Sequence, residues 1–294
     1  MAAQRYSLAG SATWNLNPTN GDWNTPTNWT PETVPNSETD VATFGQSNVT
    51  DIAVSQTVLG SLVFGSDASS YTFTLSDPTE VAYFAFYGDG VINNSPNEQT
   101  FVFPSNFLYS VNVEFRNSST AGDRVTYYAS NGGNGIFFGE SANAGSATFI
   151  VNSFMDFYGA GTQTPSAANA TIINDPGYTT FSFGGSAGNA FITNQHGGWT
   201  DYCSDQPSNA TIINQGVETR REFTSHTSFC SSGMPGPRRS SITPRLSKEA
   251  KVVTPSTAAP IYRKVRPSLT TEARSQTLLA LAKLSSLAAP ATRP

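Results

Sequence analysis

Ala170-Thr171-Ile172-Ile173-Asn174, Ala190-Phe191-Ile192-Thr193-Asn194 and Ala210-Thr211-Ile212-Ile213-Asn214 repeat one phrase, small-x-aliphatic-x-Asn, at a fixed step of 20 residues. A looser copy, Ala147-Thr148-Phe149-Ile150-Val151-Asn152, precedes them and is one residue longer. A constant period of this size marks stacked supersecondary units. Between the copies lie aromatic phrases, Phe137-Phe138-Gly139, Phe154, Phe157-Tyr158-Gly159 and Thr180-Phe181-Ser182-Phe183-Gly184. One unit therefore holds an aliphatic strand and an aromatic strand joined by Gly-rich corners. Both alternate with period two, the pattern of half-buried strands.

Coils of about 20 residues stack their strands in parallel at roughly 4.8 Å. In such a stack Ile172, Ile192 and Ile212 form an inner column, and Ala170, Ala190 and Ala210 a second. Asn174, Asn194 and Asn214 line up at a turn, where stacked amides bond to one another or to backbone. A polar binding stripe is the alternative for these Asn; the turn-closing ladder is preferred. The fold class expected is all-β, a parallel β-helix or solenoid. Right-handed crossovers dominate parallel β connections generally.

The 294 residues carry few charges (13%) and many Gly (24), a composition of short strands and tight corners. Residues 1–217 hold 3 of the 16 basic and 17 of the 21 acidic residues, a net of −14; residues 218–294 hold 13 and 4, a net of +9. Every Asn and Asp lies before residue 218. The chain thus divides into a Trp-rich cap (1–35), a repeat domain (36–217) and a basic, Pro- and Ser-rich tail (218–294). The tail is expected to be mostly disordered, with a short amphipathic helix over 272–287. A basic arm for nucleic acid, a solvated tail and a reading-frame shift near codon 218 all fit it; the abrupt loss of the repeat favours the last.

The two cysteines, Cys203 and Cys230, have no metal-ligand spacing and read as unrelated thiols rather than a disulfide. No apolar run reaches the roughly 18–20 residues of a membrane span. The opening Met1-Ala2-Ala3-Gln4-Arg5 lacks the apolar core of a secretory signal.

Trp14, Trp23 and Trp29 sit among Pro, Asn and Gly, suiting a compact cap over the first coil's open edge. A carbohydrate-stacking platform is the alternative. Strand phrases follow at Val41-Ala42-Thr43-Phe44, Ile52-Ala53-Val54, Ser61-Leu62-Val63-Phe64 and Tyr71-Thr72-Phe73-Thr74-Leu75.

The order Trp14, Gly21-Asp22-Trp23-Asn24, Asn28-Trp29, Pro35, Ala42-Thr43-Phe44, Leu62-Val63-Phe64, Tyr71-Thr72-Phe73, Gly88-Asp89-Gly90-Val91-Ile92-Asn93-Asn94-Ser95 and Phe115-Arg116-Asn117-Ser118-Ser119-Thr120-Ala121-Gly122 resembles bacterial autotransporter-type passengers with autotransporter-associated β-strand repeats. It spans residues 9–217. The resemblance implies a right-handed parallel β-helix in a surface-exposed or secreted protein, with a signal peptide before the repeats and a membrane barrel after them; neither is visible here.

No catalytic, cofactor-binding or metal motif stands out, and no cofactor is expected. One stretch, Gln195-His196-Gly197-Gly198-Trp199-Thr200-Asp201-Tyr202-Cys203-Ser204-Asp205, departs from the repeat. A metal set of His196, Asp201 and Asp205 lacks a ligand pattern, so a degenerate corner is preferred. A polysaccharide lyase or glycoside hydrolase needs converging carboxylates; Asp156, Asp175, Asp201 and Asp205 are candidates that by spacing do not share a coil position. The expected function is structural or adhesive and non-enzymatic, with glycans or a host or cell-surface protein as partners. Nucleic acid and a membrane span are not expected.

Overall fold

The computed structural model describes residues 10–75, 82–104, 111–130, 135–204, 208–215 and 224–230, together with the backbone of 240–242 and 249–253. The expected helix over 272–287 lies outside the described residues, as does all of a second unit, 259–294.

Within the described residues the chain is an all-β solenoid of parallel sheets with about seven turns. The first sheet contains β1 (Ala12–Trp14), β2 (Trp29–Thr30), β3 (Ser37–Phe44), β5 (Thr57–Phe64), β7 (Ala82–Asn93), β9 (Val111–Phe115), β11 (Gly135–Gly139), β13 (Phe154–Tyr158), β15 (Tyr178–Ser182), β17 (Trp199–Cys203), β19 (His226–Phe229) and β20 (Ser240–Ile242). The second contains β4 (Asp51–Val54), β6 (Thr72–Leu75), β8 (Gln99–Phe103), β10 (Val125–Ala129), β12 (Thr148–Val151), β14 (Thr171–Asn174), β16 (Phe191–Asn194), β18 (Thr211–Gln215) and β21 (Glu249–Val253). Each coil contributes one strand to each sheet. A third, one-residue-wide ladder runs Gly90, Thr120, Asn143, Ser166, Ser186 along a corner. There Gly122, Gly145 and Gly188 take φ of 88°, 59° and 54°. Only glycine enters that region without steric cost, and a Cβ on Gly145 would lie 2.6 Å from the Gly122 carbonyl oxygen.

Period-two alternation puts one face of every strand inside. In the first sheet the inner column is aromatic: Phe86, Phe115, Phe138, Phe157 and Phe181 stack at centroid distances of 5.2, 4.7, 4.5 and 4.9 Å. In the second, Phe73, Phe101, Tyr127 and Phe149 stack at 4.9 Å each. Phe149 then pairs in register with Ile172, Ile172 with Ile192, and Ile192 with Ile212. Aromatic side chains prefer offset stacks, so the strand spacing itself selects like over like. Each such burial is worth about 1.5–3 kcal/mol.

The 20-residue coil holds only for part of the stack. Asn174 and Asn194 are 20 positions apart, whereas Tyr71 and Gln99, on adjacent rungs, are 28 apart. Corners absorb the difference, because they project outward and leave strand registers unchanged.

Two readings of the C-terminal part change. The repeat does not stop at residue 217: β19 pairs in parallel with β17 and places Thr227 opposite Thr200. Cys203 and Cys230 are not separate thiols but a disulfide, their Cα atoms 4.5 Å apart. Within the tail expected to be mostly disordered, β20 and β21 pair antiparallel with β19 and β18.

Candidate functional site on the outer face of the aromatic sheet

Two features named from the sequence are internal. Trp14, Trp23 and Trp29 are buried, at 2%, 0% and 0% exposure. They pack edge to face, Trp14 on Trp29 at 5.0 Å and Trp23 on Trp29 at 4.8 Å, and rest on Phe44. Each indole N–H donates to a main-chain oxygen, of Val49, Pro35 and Trp23 respectively. Their ring faces are unavailable to a sugar. Asn28, also fully buried, knits the cap: its Nδ2 donates to the main-chain oxygens of Asn20 and Asp22, and its Oδ1 accepts from Thr19. Nothing in the repeat pointed to it.

The Asn column is likewise inside. Asn174 donates to Asn194 Oδ1 and to Trp199 O, and Asn194 donates to Asn214 Oδ1 and to His226 O. Thr179, Thr200 and Thr227 donate to the Oδ1 of Asn174, Asn194 and Asn214 at 2.8, 3.0 and 3.1 Å. Where the preceding coil places Val151 opposite Asn174, it places Met155 opposite Thr179. Amide and hydroxyl enter together, because a buried amide needs its partner. A solvent-facing stripe is excluded by this burial. Ala170, Ala190 and Ala210 lie fully buried beside it.

The outward side of the aromatic sheet is where chemistry meets solvent. One outer column runs Phe154, Tyr178, Trp199, His226, in register and half-buried. Tyr178 and Trp199 stack at 4.4 Å with planes 4° apart, and Trp199 stacks on His226 at 6.0 Å and 7°. The rings cover one another's faces and present edges outward. The adjacent column reads Asp156, Thr180, Asp201, Ser228. Asp156 and Asp201 therefore do share a coil position, contrary to the reading from spacing; the longer corner after β13 hid it. Two strand steps place their backbones about 10 Å apart.

Burial raises the Asp156 carboxyl above its ordinary value, and hydrogen bonds from Thr180 and Ser182 pull the other way. Burial also raises the Tyr178 hydroxyl, with Asp156 and Asp201 adding to the shift. Ser228 donates to Asp201.

The third column ends in Tyr158, Ser182 and Cys203. Tyr158 is 50% exposed, and Phe183, on the next corner, is 70% exposed; their rings lie 5.1 Å apart. Phe183 holds φ of 50°, a left-handed conformation that costs an L-residue roughly 1–2 kcal/mol.

The irregular stretch 195–204 divides between two surfaces. His196 Nδ1 meets Asp175 Oδ1 at 2.6 Å, and Gln195 donates to the other oxygen at 2.8 Å. Trp199 and Asp201 belong to the outer columns, while Tyr202 points inward and is buried. Asp205 lies outside the described residues. Among the described residues no group of three or more His, Cys, Asp or Glu is placed to hold a metal ion, and no helix is long and apolar enough to cross a membrane. No protein-family model matches this chain, and neither a curated protein nor a solved structure matches it.

Proposed function

We propose that this chain is the shaft of a surface-exposed or secreted bacterial protein of the autotransporter-passenger type, structural or adhesive and without catalysis. The observation that carries the adhesive part is the pair Tyr158 and Phe183, two large exposed aromatics on a rigid coil, one of them held in a strained backbone. Strain of this kind persists where surrounding structure over-determines it and collects at contact sites. Scattered exposed apolar residues are ordinary; a paired, rigid set beside a half-buried aromatic column is a contact patch. Glycans, through the free faces of these two rings, or a host or cell-surface protein are the partners. Extracellular placement draws support from the Cys203–Cys230 disulfide, since such bonds persist in oxidising compartments.

The full chain is to be applied to immobilised glycans and matrix proteins, alongside a Tyr158→Ser/Phe183→Ser variant. Retention of the wild type and its loss in the variant support adhesion. Absence of retention on every surface leaves a purely structural shaft.

A polysaccharide-active enzyme is the second reading, favoured by Asp156 and Asp201 on one column. Inverting glycosidases hold their carboxyls about 6.5–9.5 Å apart. Release of reducing ends from neutral polysaccharides, abolished by both Asp156→Asn and Asp201→Asn, supports it; no release by the wild type removes it.

A further inference from the structure

The internal amide ladder ends on an unmet donor. Asn174 and Asn194 each pass their Nδ2 hydrogens forward, to the next Asn and to a carbonyl of the next coil. Asn214 stands in the same register at 2% exposure, and its Oδ1 accepts from Asn194 and Thr227. Its Nδ2 is buried with no partner. A buried amide hydrogen without an acceptor forfeits the hydration it lost. The direction in which the two earlier amides donate locates the missing acceptors on a further rung, beyond β18 and β19.

That rung is occupied by the chain's own β21, and the fit is partial. The described neighbours of β18 and of the strands before it in this sheet pair in parallel, whereas β21 pairs antiparallel and sets Ala250 opposite Asn214. We infer that the β18 edge is a strand-acceptor site whose occupant is a parallel, extended peptide bearing the phrase aliphatic-x-Asn, with β21 as a replaceable cover. Main-chain hydrogen bonds supply the affinity of such strand addition and side-chain positions its selectivity. An aliphatic residue would lie over Ile212, and a carboxamide oxygen would meet Asn214 Nδ2. The first coil of another copy is a poor occupant, because β1 and β2 close that end as an antiparallel pair over buried tryptophans.

The probe is a labelled peptide of residues 208–215, Ser-Asn-Ala-Thr-Ile-Ile-Asn-Gln, titrated by fluorescence anisotropy against the full chain, with a control peptide whose last Asn is Ala. The wild type is expected to bind the first saturably and the control about tenfold more weakly, the equivalent of 1.4 kcal/mol. Lys251→Pro/Val252→Pro, adjacent positions of which one must turn its N–H toward β18, frees the edge and tightens binding at least tenfold; binding by this variant alone also supports the site. Asn214→Leu binds both peptides equally. Equal affinity of the wild type for the two peptides, or no binding to either the wild type or Lys251→Pro/Val252→Pro, overturns the inference.

Discussion

Asn174 donates its side-chain amide to the Oδ1 of Asn194 at 2.7 Å, and both residues are fully buried. The same bond recurs from Asn194 to Asn214 at 2.7 Å. A slip of β16 by one residue would turn Asn194 outward and strand the amides of Asn174 and Asn214 in an apolar interior. Isoleucine columns tolerate small offsets; amide columns do not. The polar ladder is therefore the register device of the last coils, and the apolar columns supply the driving force.

Replacing Asn194 by Leu removes the acceptor of Asn174 and Thr200 and the donor to Asn214. Stability should fall by about 1–3 kcal/mol. Asn214→Leu removes the acceptor of Asn194 and Thr227 but with it an unmet donor, and should cost less than Asn194→Leu. Denaturant midpoints of the two variants order them directly.

Phe157 is sandwiched between Phe138 at 4.5 Å and Phe181 at 4.9 Å. Phe157→Ala should cost about 3–5 kcal/mol, because stacked neighbours on both sides resist collapse into the void. Phe183→Gly should instead hold or raise stability by up to about 1 kcal/mol, since glycine adopts φ of 50° without strain. Calorimetric melting of both variants checks the contrast.

Asp156 binds its proton more tightly folded than unfolded, because burial disfavours the carboxylate. The folded state then holds more protons than the unfolded one from the ordinary value of 3.8 upward, so this group's contribution declines as pH rises through its folded value. Asp156→Asn should flatten that decline and leave stability below it unchanged. Unfolding curves at several pH values between mildly acidic and neutral test the sign.

The Cys203–Cys230 bond closes a loop across a separation of 27 residues and ties β19 to β17. Reduction, or Cys230→Ser, should lower stability by about 2–4 kcal/mol. Hydrogen exchange should quicken at Thr227 and Phe229 while Ile172 and Ile192 keep their protection.

The Ile, Ala and Asn columns were legible because the corners of these coils, individually unequal, sum to the same length, so a spatial column appears as a sequence period. The Thr partners were not: Thr179, Thr200 and Thr227 lie 5, 6 and 13 residues after the Asn they serve. Hydrogen bonds answer to distance in space, and corners vary. The same variation concealed that Asp156 and Asp201 stand in one column. The boundary placed at residue 217 followed composition, which changes before the architecture does; Thr227 and Cys230 still obey the coil. Asn28 carries no periodic signal because the cap has no second copy against which to compare it.

Nuclear Overhauser contacts between Ile methyl groups, in chain labelled only at isoleucine, test the parallel stack most directly. In-register rungs about 4.8 Å apart give cross-peaks from Ile172 to Ile192 and from Ile192 to Ile212, with none of comparable strength from Ile172 to Ile212. An Ile192 that contacts neither of the other two, or strand-to-strand contacts running in reverse order along 171–174 and 191–194, would contradict the solenoid.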